Sequence, residues 1–201
     1  MPNKKAEKIQ SSPVANIPNC WEVVKWGYCI GIKIACQARS IHAHDLEKIL
    51  YFSHHITMHR FLLRVVGRPH EAWHPQAIHM YLERLRPYAQ VEVVEFEEHR
   101  DVNEKLFKNL PAGATVVVCD SRGAMLSSPD LARAVERWTE FGTTTVFIVG
   151  GSEGIDPTFV PSNAARLSFG KLTLPHILAR IILLEQLYRA ETILHGKTYH
   201  K

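Results

Sequence analysis

Thr115-Val116-Val117-Val118-Cys119, then Ser128-Pro129-Asp130 opening a helical run to Phe141, then Thr144-Thr145-Val146-Phe147-Ile148-Val149 closed by Gly150-Gly151-Ser152-Glu153-Gly154, decide the fold. Both β-branched runs are apolar throughout, as strands covered on both faces are. The segment between them starts with an N-cap hydroxyl at Ser128, a proline at the first helical position and an acid in the first turn. Gly142 stops it. Strand, helix, strand, with each strand fully apolar, is the unit of a parallel sheet.

The same alternation extends in both directions. Upstream, Phe61 to Val66 reads as a strand ended by Gly67, and Trp73 to Leu85 as a helix with Ile78, Leu82 and Leu85 on one face. Val91 to Phe96 is a second strand and Val102 to Leu110 a short helix closed by Pro111 and Gly113. Downstream, Asp156-Pro157 opens a short helix, Arg166 to Phe169 is a brief fifth strand, and a last helix runs from Pro175 to Leu194, ended by Gly196. The expected fold is α/β, a mostly parallel sheet with helices on both faces.

Composition limits the alternatives. The 201 residues are 46% hydrophobic, enough for one domain with a real core and an appendage. A formal charge of +4 permits an RNA or phosphate partner without demanding one. Cys20, Cys29, Cys36 and Cys119 lack Cys-x-x-Cys spacing, so neither a disulfide framework nor a metal site is expected, and a reduced, cytoplasmic compartment fits. No uninterrupted apolar run approaches the roughly 18 residues of a membrane span, and Glu22, Lys25 and Lys33 break up what would be a signal peptide. Residues 1–57 show no strand–helix alternation. They are expected to be a poorly ordered extension, or to lie upstream of a natural start at Met58, leaving 58–201 as the domain.

Ligands of parallel sheets bind outside the carboxyl ends of the strands. Three loops fall there: Asp120 to Gly123, Gly150 to Gly154 and Gly170 to Pro175. Gly-Gly-x-x-Gly suits a ligand approached by backbone, and equally an ordinary tight turn. It matches neither the dinucleotide fingerprint nor the phosphate-cradling loop ending in Gly-Lys-Ser/Thr, which demotes hydride transfer and nucleotide hydrolysis. In the last helix Arg180 is a cation amid Ile and Leu, so it must snorkel out or meet an anion. His176 reads as a helix-start hydrogen-bonder or a catalyst, and the end of the chain as a frayed terminus.

The run Leu167-Ser168-Phe169-Gly170-Lys171-Leu172-Thr173-Leu174-Pro175-His176, then Arg180, Glu185-Gln186-Leu187-Tyr188-Arg189-Ala190, Gly196 and Tyr199-His200-Lys201, closely resembles the RlmH family. These are bacterial methyltransferases of the SPOUT superfamily that act on a pseudouridine of large-subunit ribosomal RNA. The likeness spans residues 58–201 and includes Val65-Val66-Gly67, Tyr81 to Leu85 and the glycine loop. It implies a C-terminal trefoil knot, an S-adenosylmethionine site, a homodimer paired through the terminal helices, and the 23S rRNA or ribosome as partner, with no membrane role.

By the same resemblance, Cys119, Gly150, Phe169, Gly170, Lys171, Leu172, Thr173 and Leu174 are the expected cofactor residues. Arg180, Tyr199 and His200 would position the substrate, His200 also assisting proton removal, and Arg189 and Lys201 would meet RNA phosphates. The chain departs from the family at Ala124, where lysine is usual, at Cys119, where leucine is common, in a shortened Phe96–Ala114 segment, and in residues 1–57, which have no counterpart. A transfer RNA target and a non-catalytic knotted RNA-binding module are the competing readings. The intact glycines disfavour the second of these.

Overall fold

The computed structural model describes residues 58–199. The N-terminal segment with Cys20, Cys29 and Cys36, and the last two residues, His200 and Lys201, lie outside them. Five strands, β1 (His59–Val66), β2 (Ala89–Phe96), β3 (Thr115–Met125), β4 (Thr144–Val149) and β5 (Ala165–Ser168), alternate with four helices, α1 (Trp73–Leu85), α2 (Val102–Phe107), α3 (Ser128–Trp138) and α4 (His176–Leu194). All neighbouring strands are parallel, in the order β2-β1-β4-β3-β5.

The period-2 alternation of side chains divides the core into two. Phe61, Leu63, Val65, Val117, Phe147 and Val149 face α1, α3 and α4, where Ile78, Leu85, Leu131, Val135, Leu183, Leu184 and Leu187 meet them. Leu62, Val66, Val116, Val118, Val146 and Ile148 face the other way, onto Val102 and Leu106 of α2 and onto Ile155. Each fully buried aliphatic side chain contributes about 1.5–3 kcal/mol, so both layers are needed. Phe147 is fully buried and meets Phe61 and Trp138 edge-on, so Phe147→Ala should cost about 3–5 kcal/mol.

Several boundaries differ from expectation for local reasons. The N-cap of α3 is Ser127, not Ser128: its Oγ accepts from the Asp130 amide at 3.3 Å, which puts Pro129 one position further in. The same helix ends at Trp138, where the Thr139 hydroxyl donates back to the Val135 carbonyl, and a 3₁₀ turn (Glu140–Gly142) follows. α2 stops at Phe107 rather than Leu110. Asn109 takes a positive φ of 54°, and the Arg64 guanidinium, arriving from β1, donates to the carbonyls of Leu106, Lys108 and Asn109 at 3.1, 2.6 and 3.1 Å. A distant arginine thus satisfies the carbonyls that a further helical turn would have used. β1 and β2 each start two residues early, β5 sits one residue early, and Asp156-Pro157 opens only a 3₁₀ turn (Pro157–Phe159). β3 continues to Met125, so Asp120 to Gly123 is an excursion within a strand: Cys119 and Ala124 both pair with Leu167.

Topology places the site. The connection leaving β1 runs to β2 on one side, while the one leaving β4 passes beyond β3 to β5 on the other. Open α/β sheets bind ligands at such a reversal.

Candidate active site

A cavity of ≈ 890 Å³ opens at the carboxyl ends of β3, β4 and β5, against the start of α4. Its walls are the β3 excursion from Cys119 to Arg122, the loop Gly150 to Ile155, the loop after β5 with Phe169, Gly170 and Leu172 to Pro175, and His176 and Ala179 of α4.

The glycine loop is tight for three separate reasons. A β-carbon on Gly150 would lie 2.7 Å from Ile155 Cγ1 and 2.9 Å from the Gly154 carbonyl carbon. One on Gly151 would lie 2.5 Å from a Glu98 carboxylate oxygen. Gly154 donates its amide to the Gly151 carbonyl at 3.1 Å from a left-handed φ of 77°. Glu98, exposed beyond β2, holds the loop from outside by accepting from the Ser152 amide at 2.7 Å and hydroxyl at 2.5 Å. Those two bonds, the hydroxyl's first, draw its carboxyl below the usual range.

Opposite, Ser168 ties the β5 loop to the β3 excursion. Its Oγ lies 3.2 Å from the Ser121 carbonyl and 3.0 Å from that of Gly170, whose φ is 131°. Burial on the cavity wall pushes the Cys119 thiol up to about 12, so it stays protonated. Asp120 is held below the usual carboxylate range chiefly by the Arg122 hydrogen bond.

His176 faces the cavity with its ring over Gly67, where a β-carbon would come within 2.3 Å of Nε2. Burial, more than its charged neighbours, lowers its pKa, so the imidazole is neutral at pH 7. Beneath it Arg180 is fully buried, donating from Nη1 to Glu95 at 2.6 Å and from Nη2 to the Gly67 carbonyl at 2.7 Å. The isolated cation in α4 has met its anion. It braces the helix against the ends of β1 and β2 and does not line the cavity.

The C-terminal segment is ordered, not frayed, through Tyr199. Lys197 and Gly196 donate their amides to the Thr192 and Ile193 carbonyls at 2.7 and 3.0 Å, with Gly196 at φ 61°, a Schellman turn that returns the chain along α4. Tyr199 then donates to Glu185 at 3.2 Å and meets the Tyr188 ring edge-on at 4.7 Å. The Arg189 guanidinium covers Tyr199 at 4.8 Å and donates to Glu185 at 2.7 Å.

Seven of the eight expected cofactor residues therefore line one cavity: Cys119, Gly150, Phe169, Gly170, Leu172, Thr173 and Leu174. Lys171 is exposed and outside the lining. Tyr199 and Arg189 are elsewhere. Glu185, their anchor, is nine residues beyond His176, which is about 13 Å of helical rise. The individual roles of Asp120, Arg122, Ala179 and Glu98 were not visible in sequence. Only the position of Ala179, one turn after His176, hinted at a wall residue, while Glu98 sits in an acidic run that reads as solvated surface.

A family model described as "Predicted SPOUT methyltransferase" matches residues 59–200. Similar curated proteins carry the name "Ribosomal RNA large subunit methyltransferase H". That of Gemmatimonas aurantiaca is 37% identical over 153 residues, covering 71% of this chain and 99% of the relative. The Paracoccus denitrificans protein matches to the same extent. That of Anaeromyxobacter sp. (strain K) is 39% identical over 146 residues, 68% of this chain and 95% of the relative. The chain belongs to the SPOUT methyltransferases and, among them, to the ribosomal RNA large subunit methyltransferase H family.

Proposed function

We propose that residues 58–201 form an S-adenosylmethionine-dependent methyltransferase that modifies N3 of a pseudouridine in large-subunit ribosomal RNA, acting in the cytoplasm as a homodimer. The observation that carries this reading is the cavity at the carboxyl ends of the strands, walled by seven residues that the family resemblance marks for the cofactor. Its volume lies within the roughly 300–1,000 Å³ of small-molecule sites. Its walls suit the group: glycine and loop backbone for hydrogen bonding, Phe169, Leu172 and Leu174 for apolar contact. The Cys119 thiol, kept neutral, offers no thiolate to compete as methyl acceptor.

When bound, the cofactor supplies a methyl group already activated on a sulfonium. The chain's task is alignment of the accepting nitrogen and removal of its proton. The Gly150 and Phe169–Leu174 loops fix the donor side. Arg180 acts through Gly67 and His176, as a positioning residue. Tyr199 and His200 position the substrate, His200 takes the imide proton, and Arg189 and Lys201 meet RNA phosphates.

Glu185, which anchors the tail, lies nine residues beyond His176 and six beyond Ala179, about 9–13 Å along α4. An antiparallel pair of α4 helices would bring one copy's tail toward the other's cavity, which supports a homodimer. The passage from β5 through Gly170–Pro175 into α4 is, on this reading, the closing segment of a trefoil knot, an exception to the usual absence of knots.

Transfer of labelled methyl from S-adenosylmethionine to large ribosomal subunits, with transfer RNA as control, tests the reading. Labelling of the subunits supports it, and labelling of transfer RNA alone replaces the target. Absence of cofactor binding at millimolar concentration by calorimetry overturns the enzyme.

A further inference from the structure

Asp120 and Arg122 of the β3 excursion are unused by the mechanism above, yet both line the cavity. Asp120 is nearly buried, its side chain 8% exposed, and both oxygens are taken. Oδ1 accepts from the amide and Nε of Arg122 at 2.9 and 3.0 Å, and Oδ2 from Nη2 of Arg122 at 2.8 Å and Nη1 of Arg166 at 3.1 Å. One carboxylate shared by two guanidinium groups leaves a net positive charge. It also fixes Arg122 in a bidentate grip while leaving that side chain 65% exposed.

Gly123 brings the excursion against the β5 backbone, a β-carbon there lying 2.7 Å from Arg166 C. Across the mouth the charge reverses: Glu153 lines the opposite wall and Glu98 stands behind Ser152. The exposed side chain of Leu172 forms an apolar rim between the cavity and solvent, and Met125, at the end of the excursion, is exposed beside β5. A held cation and an exposed Leu172 lining the same cavity have the chemistry of a nucleotide site: phosphate on the guanidinium, sugar or base on the aliphatic side chain.

We infer that Arg122, aimed by Asp120 and reinforced by Arg166, binds a backbone phosphate of the RNA strand entering the site. This rests on the proposed RNA substrate, and only the identity of the anion is added. The carboxylate of a bound cofactor would be the other anion for Arg122 to meet, since Arg122 lines the same cavity. The high exposure of Arg122 on the outer rim favours the strand.

The test compares the full chain with Arg122→Gln and Arg122→Lys in methyl transfer to large ribosomal subunits over a potassium chloride series, with cofactor affinity measured by calorimetry. For Arg122→Gln the expected result is a KM for subunits raised about tenfold, with a salt slope shallower by about 0.7, the share of one phosphate contact on a single strand. Cofactor affinity should stay within about threefold, because the seven cavity residues assigned to the cofactor and the Asp120–Arg166 pair persist. Arg122→Lys should recover the slope and part of the KM, since it keeps the point charge but not the planar fork. An unchanged salt slope in Arg122→Gln overturns the inference. So does a tenfold loss of cofactor affinity with KM for subunits unchanged, which would assign Arg122 to the cofactor carboxylate. If the wild-type chain labels no ribosomal RNA, the proposed function fails instead.

Discussion

The two ends of α4 do their work with different chemistry. At its start, the cavity is shaped by what is missing: glycines at 150, 151 and 67 whose β-carbons would strike neighbours, and the small Ala179. At its far end, Tyr188, Arg189, Tyr199 and Glu185 form a cluster built wholly from large side chains. A site read by backbone tolerates almost any change that adds no atoms. A site read by side chains fails when they are removed. Sensitivity to added bulk and to lost side chains should therefore separate cleanly between the two ends.

Gly150→Arg should give the largest effect. The first added carbon already meets Ile155 and the Gly154 backbone, and the rest of the side chain fills the cavity. Cofactor binding by calorimetry should fall below detection while circular dichroism still reports a cooperative melt. Normal affinity would place the cofactor elsewhere. At the other end, deleting Tyr199 to Lys201 should lower methyl transfer by a factor on the order of 100, the usual scale of lost acid–base and positioning groups. Cofactor affinity should move little. Equal loss of both would erase the division of labour between the ends.

Arg180 lines neither site and braces the cavity end of α4 from beneath. Glu95→Gln leaves a fully buried guanidinium without its anion and should lower stability in urea titration by about 3 kcal/mol. Arg180→Met should cost less, because Glu95 keeps a 34% exposed side chain and can be rehydrated. The reverse order would mean that the Gly67 carbonyl, not the ion pair, dominates the brace.

How much of this is legible in the chain depends on the range of the interaction. The apolar runs of β3 and β4 reveal a doubly covered parallel sheet because strand pattern is local, and each helix carries its own stop. The end of α2 is not legible, since its carbonyls are capped by Arg64 from a strand some forty residues earlier. Nor is the excursion in β3: Asp120-Ser121-Arg122-Gly123 reads as a loop, and only pairing with Leu167 on both sides shows it to be an interruption of a strand. Seven of the eight residues that the family likeness assigns to the cofactor line one cavity, because loops that follow parallel strands converge on one edge. That Tyr199 and Arg189 sit away from the cavity could not be read, because the tail's place depends on the turn at Gly196 that returns it along α4 to Glu185.

The smallest effect expected concerns the strap that holds the glycine loop. Glu98 accepts two hydrogen bonds from Ser152 only as a carboxylate, and those bonds draw its pKa below the usual glutamate value of about 4.3. A depressed folded-state pKa means that its contribution is complete above the unfolded value and is lost as pH falls through the folded one. Cofactor affinity should therefore be insensitive to Glu98 between pH 8 and pH 6, by the same reference value. It should weaken only in more acid solution, as the strap releases Ser152. Glu98→Gln keeps the shape but weakens acceptance, and should lower affinity a few-fold at neutral pH while flattening the acid limb. Because Glu98 is exposed, water can replace it, which is why the effect is small. An acid limb of unchanged steepness in Glu98→Gln would assign the titration to another group on the wall, Asp120 first, whose carboxyl is also depressed.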